Sequence, residues 1–201
     1  MILPNQLTVL RIILTPVFFV LFLSDDPVLV QISIGVFIIA AITDWYDGWL
    51  ARKFNYITEW GKFLDPLADK ILTSTAFIAL VILNILPLWM VLLIILRDII
   101  VTALRIFADH RKIPFSTSYS AKWKTFLQMF FLYYLLLFYT ANKAEWINKL
   151  SPDLFKTLLN ADLIYFTMLT ITLFTLITGI TYVTTNRILI KKLFHLGNKS
   201  N

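Results

Sequence analysis

Four aspartates stand close together in the stretch DWYDGWLARKFNYITEWGKFLDPLADK, from Asp44 to Lys70, at the end of one apolar run and the start of the next. Asp44 and Asp47 are spaced i,i+3 and Asp65 and Asp69 i,i+4, so on helices each pair projects from a single face. Two such faces can form one box of acids. Carboxylates about 6 Å apart repel by roughly 3 kcal/mol at an effective dielectric near 20. Four together would partly protonate unless divalent cations lay between them. Acids at a membrane boundary also need a cationic partner. Hard oxygen ligands favour Mg²⁺, Mn²⁺ or Ca²⁺. Gly48 lies four residues after Asp44, Ala51 four after Asp47 and Gly61 four before Asp65, which leaves room for close helix approach or for a ligand.

Three other clusters carry polar chemistry on apolar stretches. Asn5, Thr8 and Arg11 recur every three residues at the chain start. They read either as a capped helix whose Arg11 snorkels to the interface or as a functional polar stripe. Arg97 and Asp98 interrupt a long apolar run, and Arg105, eight residues on, falls on a similar helical face. A charge pair there is either a structural tie between helices or part of a site. Lys122 and Lys124 flank Trp123, a pattern shared by phosphate-binding segments and by ordinary positive, aromatic helix ends at a lipid interface.

The elements that must position these groups are helices in a membrane. Hydrophobic residues make up 59% of the chain and charged residues 15%, with a mean hydropathy of +0.78, beyond what a soluble domain carries. There is no cysteine, so neither a disulfide nor a thiolate ligand is available. The net charge of +6 points to anionic lipid rather than nucleic acid, because no basic stripe with interleaved aromatics stands outside the apolar runs. Those runs begin with residues 12–23, which mimic a signal peptide but are followed by Ser24, Asp25 and Asp26 rather than a small-residue cleavage site. They continue over about residues 28–43, 66–83, 87–107, 126–140 and 163–184, each close to the ~20 residues needed to cross a bilayer once flanking turns are added.

The expectation is an all-α, polytopic membrane protein, one integral membrane domain over residues 1–201 with six transmembrane helices. Fifteen of the eighteen Lys and Arg residues fall on the side that holds both termini and the acids, which makes that side cytoplasmic. Pro66 is expected in a first helical turn with Asp65 as its cap. Residues 141–162 form the one long connection on the opposite side, read either as an interfacial helix or as a hydrophobic loop.

Asp44, Asp47, Gly48, Ala51, Arg52, Gly61, Asp65 and Asp69 fit D-x2-D-G-x2-A-R-x8-G-x3-D-x3-D at every fixed position. This pattern resembles the signature of the CDP-alcohol phosphotransferase family. The stretch Pro4-Asn5 to Arg11, with Pro16, the Leu96–Arg105 segment and Ser120–Thr125 are similar to further segments of members that use glycerol 3-phosphate. In this chain Asp98 replaces the more usual Glu, and Ala121 the glycine of a G-K-x-K-T motif. The likeness covers roughly Pro4 to Thr125, and beyond it only length and hydropathy agree.

The resemblance implies a six-helix bundle, commonly a homodimer, in a bacterial plasma membrane with its active site on the cytoplasmic side. Its members transfer a phosphatidyl group from CDP-diacylglycerol to an alcohol and release CMP. It further implies that Asp44, Asp47, Asp65 and Asp69 ligate two divalent cations, Mg²⁺ or Mn²⁺, with Asp69 also a candidate general base. Asn5, Thr8, Gly48, Ala51, Arg52 and Gly61 would border CDP-diacylglycerol. A glycerol 3-phosphate acceptor needs cations beyond the metals, and Arg11, Arg97, Arg105, Lys122 and Lys124 would supply them. Inositol phosphate is the alternative acceptor, and an intramembrane cation transporter the alternative from another class.

Overall fold

The computed structural model describes residues 3–54, 59–111, 119–144 and 152–190. Within these, the side chains of 3–5, 44, 45, 47, 48, 50–52, 54, 59–63, 110 and 152 lie outside the described set. The described residues form seven helices and no strand: α1 (Leu3–Phe22), α2 (Pro27–Phe54), α3 (Glu59–Ile82), α4 (Leu88–His110), α5 (Tyr119–Lys143), α6 (Pro152–Leu158) and α7 (Ala161–Thr185). The all-α expectation holds. α5 and the Asp153–Thr185 stretch that contains α7 are long and apolar enough to cross a membrane.

Local chemistry sets the helix ends. Asp26 accepts the Val28 amide on Oδ1 at 2.8 Å, capping α2, whose first residue is Pro27. The turn after α3 runs through Asn84 at φ 56°, with the Asn84 amide on the Val81 carbonyl and the Ile85 amide on the Leu80 carbonyl, both at 2.9 Å. This left-handed residue satisfies carbonyls that the helix end would otherwise orphan, and Pro87 then blocks continuation. Asn160 caps α7 by accepting the amides of Asp162 and Leu163.

Pro66 departs from expectation. It lies inside α3, which starts at Glu59, so Asp65 is not a helix cap. One backbone bond is lost there, because proline has no amide hydrogen to donate to residue 62. Packing of the following turns against α1 and α4 holds the helix together around that gap.

The long helices close a ring in which α1 packs on α2 and α3, α3 on α4, α4 on α7, α7 on α5, and α5 back on α2. Its core is aromatic and aliphatic. Phe18 contacts Phe22 and Phe37 at centroid distances of 5.3 and 5.0 Å, and Phe22 contacts Tyr139 at 5.4 Å. The outer surface is apolar as well, with Val20, Phe130, Ile177 and Ile180 exposed, as a lipid-facing surface requires. Of the 141–162 connection, residues 152–158 are the short helix α6. Phe155 is buried near Phe138, and the Tyr134 hydroxyl donates to the Leu158 carbonyl at 2.5 Å. α6 therefore leans on α5 by its one apolar face.

Candidate active site

Two features meet on α3. The first is acidic. Asp65 and Asp69 lie one turn apart and are both partly exposed. The packing of α1 on α3 brings Thr8 to Asp65, and its Oγ1 donates to Asp65 Oδ1 at 2.5 Å. Asp69 Oδ2 is 3.4 Å from Lys70 Nζ. α2 continues unbroken through positions 44 and 47 to Phe54, so the backbone supports the one-face spacing of Asp44 and Asp47. The side chains of Asn5, Asp44, Asp47, Gly48, Ala51, Arg52 and Gly61 lie outside the described residues. Arg11, one turn beyond Thr8, is fully buried, which rules out snorkelling to an interface.

The described acids fit a hard cation. Asp65 and Asp69 offer only oxygen donors, both remain accessible, and a hydroxyl already orients one of the Asp65 oxygens. Among the described residues no cluster of three potential ligands occurs. Two of the four acids implied as ligands fall outside that set.

The second feature is basic, a cavity of about 720 Å³ between α3, α4, α5 and α7. Lys70, Arg97, Arg105 and Lys122 line it, together with Ala121 and Tyr182. Three of the five cations expected to bind an acceptor phosphate thus converge on one space, joined by Lys70. Lys70 connects the two features, because it faces the cavity while paired with Asp69.

Lys124 sits elsewhere. Its side chain is 0% exposed, and Nζ is 2.5 Å from Asp98 Oδ1. Expected among the acceptor-phosphate cations, Lys124 does not line the cavity, and its burial also disfavours the alternative of a helix-end charge at the lipid surface, which would keep its ammonium in water. Asp98 also accepts from Arg97 Nη1 at 2.9 Å and from Gln128 Nε2 at 3.2 Å. Arg97 Nη2 reaches Thr178 Oγ1 on α7 at 3.3 Å. The pair seen in sequence is therefore the centre of a buried network that ties α4, α5 and α7 together, with Arg97 still facing the cavity.

Sequence reasoning missed Lys70, Thr178 and Tyr182 as site residues. The place of Lys70 directly after Asp69 is a usable signal. Thr178 and Tyr182 lie on a helix with no pattern that distinguishes them from other span residues.

A bundle of long apolar helices with acids on consecutive turns beside a cation-lined cavity is an arrangement suited to binding phosphorylated groups. The chain belongs to the CDP-alcohol phosphatidyltransferase family, whose model matches residues 1–167. It is similar to proteins named CDP-diacylglycerol–glycerol-3-phosphate 3-phosphatidyltransferase from three bacteria. The one from Bacillus subtilis is 42% identical over 147 residues, covering 67% of this chain and 76% of that protein. The one from Rickettsia bellii is 42% identical over 135 residues, covering 67% and 75%. The one from Salmonella typhimurium is 41% identical over 138 residues, covering 66% and 75%.

Proposed function

We propose that this protein transfers the phosphatidyl group of CDP-diacylglycerol to sn-glycerol 3-phosphate, giving phosphatidylglycerophosphate and CMP. The observation that carries the reading is the adjacency of the acid pair Asp65 and Asp69 to the cavity lined by Lys70, Arg97, Arg105 and Lys122. Asp98 also lines the cavity and pairs with Arg97, and Asp69 pairs with Lys70. The four cations still outnumber these two acids, a surplus of positive charge that an uncharged acceptor would leave unmatched. The phosphate dianion of glycerol 3-phosphate matches that surplus, and arginine can meet it with two parallel bonds. The names of the relatives point to the same donor and acceptor.

The acceptor hydroxyl attacks the phosphorus that carries the diacylglycerol. The bond from that phosphorus to the bridging oxygen breaks, CMP leaves, and Asp69 takes the hydroxyl proton. Such transfers depend mainly on positioning and charge neutralisation. Asp44, Asp47, Asp65 and Asp69 would hold two divalent cations, Mg²⁺ or Mn²⁺, which neutralise pyrophosphate charge. Arg97, Arg105, Lys122 and Lys70 hold the acceptor phosphate, while Lys124 keeps Asp98 paired so that Arg97 stays in register. Asn5, Thr8, Gly48, Ala51, Arg52 and Gly61 border the CDP-diacylglycerol side, whereas Arg11, expected among the acceptor cations, is buried and does not line the cavity.

In the same reading all six long helices cross a bacterial plasma membrane, both termini and the active site are cytoplasmic, and the protein works as a homodimer. The helix lengths of 20 to 28 residues and the one-sided Lys and Arg distribution support the topology. The test is CMP release by purified protein from CDP-diacylglycerol with a panel of acceptors. Release driven by glycerol 3-phosphate is expected. Release driven only by inositol phosphate would reassign the acceptor, and metal flux without CMP would make the chain a transporter.

A further inference from the structure

The helix α7 lies mostly beyond the segment that the family model matches, which ends at residue 167, yet it contributes Tyr182 to the lining of the basic cavity. We infer that Thr178 and Gly179 of α7 form a seat that positions Arg97 for the acceptor phosphate, an inference that rests on the acceptor assignment above.

Three observations carry it. Arg97 is anchored at both terminal nitrogens, Nη1 to Asp98 at 2.9 Å and Nη2 to Thr178 Oγ1 at 3.3 Å. The Thr178 hydroxyl donates its only hydrogen to the Thr175 carbonyl at 3.0 Å, so its lone pairs are the part left to face the guanidinium. Gly179 is buried, and a Cβ placed there would stand 3.0 Å from Arg97 Cγ and 3.4 Å from Nε. The arginine stem therefore lies in the notch that this glycine leaves open. Because the guanidinium is held at its far end by two anchors, a methyl group at 179 would push the stem by a few tenths of an ångström and pull against them. Tyr182, one turn further along α7, lines the same cavity, so the seat faces the site rather than lipid.

Thr178 and Gly179 are thus positioning residues that act through Arg97. Their loss should raise the KM for glycerol 3-phosphate with little change in kcat or in the KM for CDP-diacylglycerol. For Thr178→Val, which keeps the shape and removes the acceptor oxygen, the rise should be roughly three- to tenfold, less than a direct charged contact is worth. Thr178→Ser keeps the hydroxyl and should stay near the parent value. Gly179→Ala should raise the acceptor KM by a similar or larger factor.

The decisive measurement repeats Thr178→Val and Gly179→Ala in an Arg97→Gln background, where neither should add to the acceptor KM. If both effects persist undiminished there, or if Thr178→Val matches the parent, the seat is refuted. If Arg97→Gln itself raises the KM for CDP-diacylglycerol and not for glycerol 3-phosphate, the acceptor assignment fails instead. Should Gly179→Ala not fold, the comparison of valine and serine at 178, which leaves packing nearly intact, decides the question.

Discussion

Lys124 on α5 and Asp98 on α4, 26 residues apart in sequence, form a buried ion pair with Nζ 2.5 Å from Oδ1. The pair separates two lysines that look alike in sequence. Lys122 faces the cavity, whereas Lys124 is spent on holding helices together.

Lys124→Met should therefore destabilise the protein by about 3 kcal/mol, near the low end for breaking a buried pair, because Arg97 and Gln128 still contact Asp98. Lys122→Met should change stability by less than about 0.5 kcal/mol, as an exposed substitution does. Thermal unfolding of both variants in detergent checks this. Equal midpoints would mean that the network contributes no stability.

The hydrogen bond from Thr8 to Asp65 orients a carboxylate assigned to metal. Removing it with Thr8→Val should raise the Mg²⁺ concentration needed for half-maximal CMP release about tenfold or more, the usual effect of losing a ligand's supporting partner. Thr8→Ser should restore it. Asp44→Asn and Asp65→Asn should each remove most activity without preventing membrane insertion, and excess chelator should stop the parent enzyme. A metal titration unchanged by Thr8→Val would place the cations away from Asp65.

Neutralising Lys70 or Arg105 should remove a charge-assisted contact worth roughly 1.5 to 3 kcal/mol. The KM for glycerol 3-phosphate should then rise about ten- to a hundredfold, with a much smaller change for CDP-diacylglycerol. Steady-state kinetics of Lys70→Gln and Arg105→Gln against both substrates measures the contrast. A rise confined to CDP-diacylglycerol would move these cations to the donor side.

Tags at the two termini should both be open to protease on the cytoplasmic face of sealed vesicles, and a tag after residue 150 should be protected there. A protected terminus would overturn the assignment of sides.

Sequence by itself determined the helical class, the acidic stretch and most of the cation set. Apolar runs of span length carry their own message, and the aspartates are so closely spaced that helical geometry groups each pair without knowledge of the fold. It also marked Arg97 and Asp98, since a charge pair inside an apolar run stands out wherever it occurs. Tertiary structure alone decided which charges face the cavity and which are consumed inside. Lys122 and Lys124 differ by two residues, about 200° around a helix, and only the neighbouring helix says which direction holds an aspartate. The start of α3 was also decided by packing, which carried the helix through Pro66 although local propensity would begin it there. Thr178, Gly179 and Tyr182 were invisible because their importance lies in what α4 places against them. A ring closure that brings residue 97 beside residue 179 leaves no trace in the spacing of either segment.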